Sequence, residues 1–130
     1  MNKLKLVLLA TCLAVPVMAH EGHDHADAKE AGKTAAVLTV QGELVDLACY
    51  LDHGGKGEKH AKCAGACVTG GAPLGLLTKE GKLYLVVGDH ADEKPFVEAK
   101  AMAGSAAKLT GKSVMNGGLQ ALIVSKTEKP

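Results

Sequence analysis

The sequence predicts a mainly β domain, a small five-stranded OB-like barrel with one or two short helices. Three observations carry this: five short runs rich in Val and Leu, glycine turn signals between them, and a short helical stretch between the third and fourth runs. A chain of 130 residues suffices for one domain with one core.

The first run, Val37–Leu51, reads as a strand in which Val45, Leu47 and Cys49 share one face by alternation while Asp46 and Tyr50 take the other. Gly42 near its middle signals the bend or bulge that a small barrel needs in order to close. A long connection, residues 52–73, follows. Gly54, Gly55 and Gly57 open it as a flexible hinge, Gly70, Gly71 and Pro73 end it, and Glu58–Val68 between them reads as about two helical turns. Leu74–Thr78 and Lys82–Gly88 form a hairpin across Lys79-Glu80-Gly81, with Leu83, Leu85 and Val87 on one face and Tyr84 and Val86 on the other. Asp89-His90-Ala91-Asp92 reads as a solvated turn. Asp92 and Pro95 then suit the start of a short helix over Phe96–Met102, which Gly104 would end. A last hairpin pairs Ala107–Met115 with Leu119–Thr127 across Asn116-Gly117. The domain thus covers residues 37–130.

Residues 1–19 read as a cleaved signal peptide: Lys3 and Lys5 charge the start, Leu6–Val17 is apolar, and Val17-Met18-Ala19 offers small residues for cleavage before His20. Thr11, Cys12 and Pro16 interrupt the apolar run, which is too short for a membrane span, and Cys12 comes too early for a lipoprotein signal. The expected location is therefore periplasmic or secreted, with no membrane span after cleavage. Residues 20–36 carry His20, His23 and His25, several charges and many alanines. They have too little apolar surface to offset the entropy of ordering, so a flexible His-containing tail is expected.

Composition excludes some partners. Cleavage removes two lysines and no acid, so the formal charge moves from +1 to −1. With no Arg, no Trp, one Phe and two Tyr, the chain lacks the basic patches and stacking rings of nucleic-acid binding.

Chemistry is concentrated in cysteine and histidine. Loss of Cys12 with the signal leaves Cys49, Cys63 and Cys67, an odd number for an oxidising compartment. In His60-x-x-Cys63-x-x-x-Cys67 the offsets of three, four and seven put all three side chains along one helical face, which Cys49 from the first strand could meet. His53 is a looser candidate beside it. Thiolate and imidazole suit copper or zinc, and three Cys with one His is a tetrahedral zinc set. The rival reading is a disulfide from Cys49 to Cys63 or Cys67 that pins the connection to the barrel. A third reading is thiol redox work, for which Cys63-x-x-x-Cys67 is one residue wider than the usual dithiol motif.

The tail holds a second candidate. His20-Glu21-Gly22-His23-Asp24-His25 sets three imidazoles and two carboxylates within six residues, and a His20 freed by cleavage would add its amine. No catalytic residues stand out: Gly54-Gly55-Lys56-Gly57 lacks the context of a phosphate loop.

Residues 37–127 resemble small exported bacterial proteins in which a strand like Gly42-Glu43-Leu44-Val45-Asp46-Leu47-Ala48-Cys49 precedes the His-x-x-Cys-x-x-x-Cys pattern and OB-like hairpins. The resemblance implies a fold and a site region and carries no activity with it. The expectation from sequence is a non-enzymatic, periplasmic binder or buffer of copper or zinc. Cys49, His60, Cys63 and Cys67 form the site, and His20, His23 and His25 a loose collector. The alternative is a disulfide-stabilised module that meets a periplasmic protein partner.

Overall fold

The computed structural model describes residues 35–130, so the expected signal peptide, and all of the His-containing tail except Ala35 and Ala36, lie outside the described residues. The described chain forms β1 (Ala36–Asp46), α1 (Leu47–His53), α2 (Glu58–Thr69), β2 (Leu74–Leu77), β3 (Leu83–Gly88), α3 (Lys94–Ala101), β4 (Ala106–Asn116) and β5 (Leu119–Glu128). The strands close into a barrel in the order β1-β2-β3-β5-β4, with β3 and β5 parallel and the other neighbours antiparallel. This is the expected five-stranded OB-like arrangement. Among the described residues no helix is long and apolar enough to cross a membrane.

Closure depends on β1 serving two partners. Ala36–Glu43 pair with β4 and Glu43–Asp46 with β2, so the strand changes neighbours next to Gly42. A Cβ at Gly42 would overlap the Leu77 carbonyl and stand 3.2 Å from the Thr78 nitrogen, so only glycine lets β2 come this close. The register irregularity lies elsewhere, between Thr110 and Gly111 on β4.

Alternation then sorts the side chains. Leu44, Leu74, Leu76, Tyr84, Val86, Ala107, Leu109, Leu122 and Val124 fill the barrel, and Val68 of α2 and Ala99 of α3 pack onto them. Leu83, Leu85 and Val87 are only half-buried, on the opposite face of β3 from Tyr84 and Val86. At the last hairpin Asn116 pairs with Leu119, so the two turn residues are Gly117 and Gly118, both with positive φ, one residue later than the sequence suggested.

One expected element is different. The first strand stops at Asp46, and Leu47–His53 turn into α1 instead of running on to Leu51. Asp46 caps that helix by accepting from the Ala48 N–H at 2.9 Å, Gly54 ends it in the left-handed region, and the Leu47 N–H donates to the Pro73 carbonyl at 2.9 Å. Asp46 therefore faces inward, 2% exposed, where alternation put it on the outer face. Helices α2 and α3 lie close to their expected positions. Asp92 Oδ1 accepts from the Lys94 N–H at 3.0 Å, and Asp89 with Asp92 closes the expected turn.

Candidate metal centre

Helix α2 carries two adjacent stripes. Ala64 and Val68 are buried toward the barrel, and Cys63 and Cys67, each one residue earlier, lie along the edge of that buried face. Gly57 opens the helix with φ of 75°, and its N–H donates to Glu43 Oε1 at 2.5 Å, which ties the start of α2 to β1. Helix α1 brings in the third sulfur from the other side, since Cys49 is its third residue.

The result is a group of three thiols. The Sγ atoms of Cys49, Cys63 and Cys67 all lie within 4.8 Å of one another, and those of Cys63 and Cys67 are 3.9 Å apart. Cys63 is exposed, Cys49 and Cys67 are half-buried, and all three are free thiols, with no bridge from Cys49. Three soft ligands converging from two helices can hold a metal ion.

Sequence reasoning missed the acid next to this group. Besides capping α1, the carboxylate of Asp46 lies near the thiols of Cys49 and Cys67, and its buried Oδ2 has no hydrogen-bond partner. Burial alone would raise its pKa. The neighbouring Cys49 thiol, the hydrogen bond from the Ala48 N–H and the neighbouring Cys67 thiol outweigh burial and hold the carboxyl below the ordinary 3.8. The thiols move the other way: the Asp46 carboxylate, with partial burial and Cys63, pushes Cys49 up to about 12. Cys67 is raised above 9.0 by Cys63, burial and Asp46. The sequence signal for this role was an acid directly before residues that also carry helical spacing, a helix N-cap pattern.

A consequence follows for reactivity. Asp46→Asn keeps the capping oxygen and removes the negative charge, so the Cys49 thiol should fall toward its ordinary range. Iodoacetamide alkylation of Cys49 at pH 8, read by peptide mass spectrometry, should become at least several-fold faster than in the native protein. An unchanged rate would show that the carboxylate does not hold that proton.

His60 does not join the sulfurs. Its Nδ1 and the Nε2 of His53 each lie 3.2 Å from the point where a Gly55 Cβ would stand, and the two rings are 5.5 Å apart between centroids. His20, His23 and His25 lie outside the described residues. No protein-family model, curated protein or solved structure matches the chain.

Proposed function

We propose that this domain binds and buffers a soft or borderline transition metal, copper or zinc, in the periplasm, through the thiolates of Cys49, Cys63 and Cys67. The observation that carries the reading is the meeting of three sulfurs within 4.8 Å. Two sulfurs on one tetrahedral zinc, each at about 2.3 Å, stand about 3.8 Å apart. Cys63 and Cys67 are already at 3.9 Å. Thiolate donors favour Cu(I) and zinc over hard cations such as magnesium and calcium.

Thiol–disulfide catalysis is the weaker reading. It needs a nucleophile with a lowered pKa, and Cys49 and Cys67 are both raised. The Asp46 carboxylate leads the shift of Cys49 and Cys63 leads that of Cys67, so both thiols stay protonated until an ion displaces the protons.

The test is intact mass spectrometry of protein purified from the periplasm, under native and then denaturing conditions, with and without alkylation. The expected result is one bound copper or zinc that leaves on denaturation, after which Cys49, Cys63 and Cys67 all alkylate. A metal-free chain two hydrogens light, with one alkylatable cysteine, would overturn this reading in favour of the structural bridge and the interaction module.

Under the same reading His20, His23 and His25 act as a collector that raises the local metal concentration. Deleting residues 20–25 should lower Cu(II) or Zn(II) uptake at neutral pH and leave the thiolate-held ion in place. The difference should vanish below about pH 6.5, where imidazole is protonated. Equal uptake by both chains at pH 7.5 would remove the tail from the mechanism.

A further inference from the structure

We infer that His53 and His60 form a second, imidazole-based metal site beside the thiols, fit for a divalent zinc or copper ion. His53 ends α1 and His60 lies in the first turn of α2, and the loop between them folds back so that both rings border Gly55. A Cβ at Gly55 would stand 3.2 Å from His53 Nε2, from His60 Nδ1 and from the Cys49 Cβ. Gly55 is not among the glycines of positive φ, so its backbone does not require glycine. What glycine provides there is space between two imidazole nitrogens. Both nitrogens border the same small volume in front of Gly55, so rotation of the two rings can bring them to the roughly 2.1 Å of a zinc–nitrogen bond on one ion that stands clear of the Gly55 backbone.

The tautomer fits as well. His53 Nδ1 is 3.1 Å from Asp52 Oδ2, and since a carboxylate only accepts, this contact favours the neutral tautomer with its proton on Nδ1 and its lone pair on Nε2, beside Gly55. A histidine whose far nitrogen is held by a carboxylate is the usual form of a metal-binding imidazole. Cys49 separates the two sites: its Cβ borders the Gly55 space while its sulfur belongs to the thiol group. The imidazole site does not depend on the thiols binding metal, since its donors are different atoms.

The test uses the full chain with His20, His23 and His25 replaced by Ala, titrated with zinc alone and read by native mass spectrometry and by imidazole ¹⁵N chemical shifts. The expected result is a zinc equivalent that shifts His53 Nε2 and His60 Nδ1, is lost in His53→Ala and in His60→Ala, and is weakened at least tenfold in Gly55→Ala, which keeps both ligands and fills the space. The thiolate-held zinc should survive all three substitutions. If the thiols bind nothing, the same equivalent is still seen and still lost with His53, so the two readings fail separately. Unshifted ring nitrogens would overturn the proposal, as would undiminished zinc binding in Gly55→Ala. So would loss of the thiolate-held ion in His60→Ala, which would assign His60 to the sulfurs.

Discussion

Gly104→Ala should destabilise this domain by about 2–5 kcal/mol, combining the cost of a left-handed conformation for alanine with that of forcing an atom into packed backbone. Gly104 has φ of +83°, and a Cβ there would overlap the Ala61 Cα and stand 2.7 Å from the Ala61 carbonyl oxygen. Its N–H donates to the Leu44 carbonyl at 2.7 Å, and the next residue, Ser105, accepts from the Leu44 N–H at 2.9 Å. The exit of α3, the last residues of β1 and the first turns of α2 thus meet at one glycine. Backbone is pressed against backbone there, so no rotamer change relieves the overlap, and α2 has to move or the fold weakens. For a domain of this size each kcal/mol lowers the melting temperature by roughly 4–8 °C, so thermal unfolding followed by circular dichroism should show a drop of at least about 8 °C. Gly81→Ala is the control. Its φ of +80° is nearly the same with nothing within 4 Å, so it should lose only the conformational part, about 1–2 kcal/mol. Equal losses at the two positions would show that the contact with Ala61 is not what makes Gly104 costly. Because Ala61 lies between His60 and Cys63 on α2, Gly104→Ala should also weaken metal binding in the molecules that still fold.

The barrel was legible because its signals are local. In β3 alternation separates Leu83, Leu85 and Val87 from the buried Tyr84 and Val86, and Asn116-Gly117 marks the last turn to within one residue. The end of β1 was not legible for the same reason. Val45, Leu47 and Cys49 alternate, while Leu47, Tyr50 and Leu51 are also spaced as a helix, and seven residues are too few for periodicity to choose. The choice is made by a contact distant in sequence, the Leu47 N–H on the Pro73 carbonyl, with Asp46 turned inward to cap the helix. From that one substitution of helix for strand the rest of the site follows. The spacing of Cys63 and Cys67 brings those two sulfurs together, while His60, on the same spacing, lies beside His53. Which of them meet Cys49 and which meet His53 depends on where α1 runs, and that is set by tertiary packing. Gly55 could be seen only as a hinge, because the space it leaves exists only once both helices are in place.

Metal binding by the thiol group should be steeply dependent on pH, changing by roughly a hundredfold per pH unit around neutrality, since at least two protons must leave for one ion to enter. The two are those of Cys49, pushed up to about 12, and Cys67, raised above 9.0. Both thiols stay protonated at pH 7 in the metal-free protein, and both ligate only as thiolates. The sign for stability is opposite. A thiol whose folded pKa is raised contributes stability that is complete below its unfolded value near 9.0 and is lost as the pH rises toward 12, so the metal-free domain should weaken over that alkaline window. Asp46, held below 3.8, contributes stability that is complete above that value and is lost only in stronger acid. Asp46 therefore stabilises the empty domain near neutral pH while opposing the thiolates that a metal requires. Asp46→Asn should accordingly tighten metal binding at pH 7, by about tenfold or more, through easier deprotonation of Cys49 and Cys67 and less negative charge around the ion. Competition against a chelator of known affinity at pH 6, 7 and 8 measures both the slope and the effect of the substitution. A slope of one proton or less would mean that Cys49 and Cys67 do not ligate together. Weaker binding in Asp46→Asn, with the fold intact, would mean that the carboxylate holds the thiols in place for the ion and does not hold back their protons.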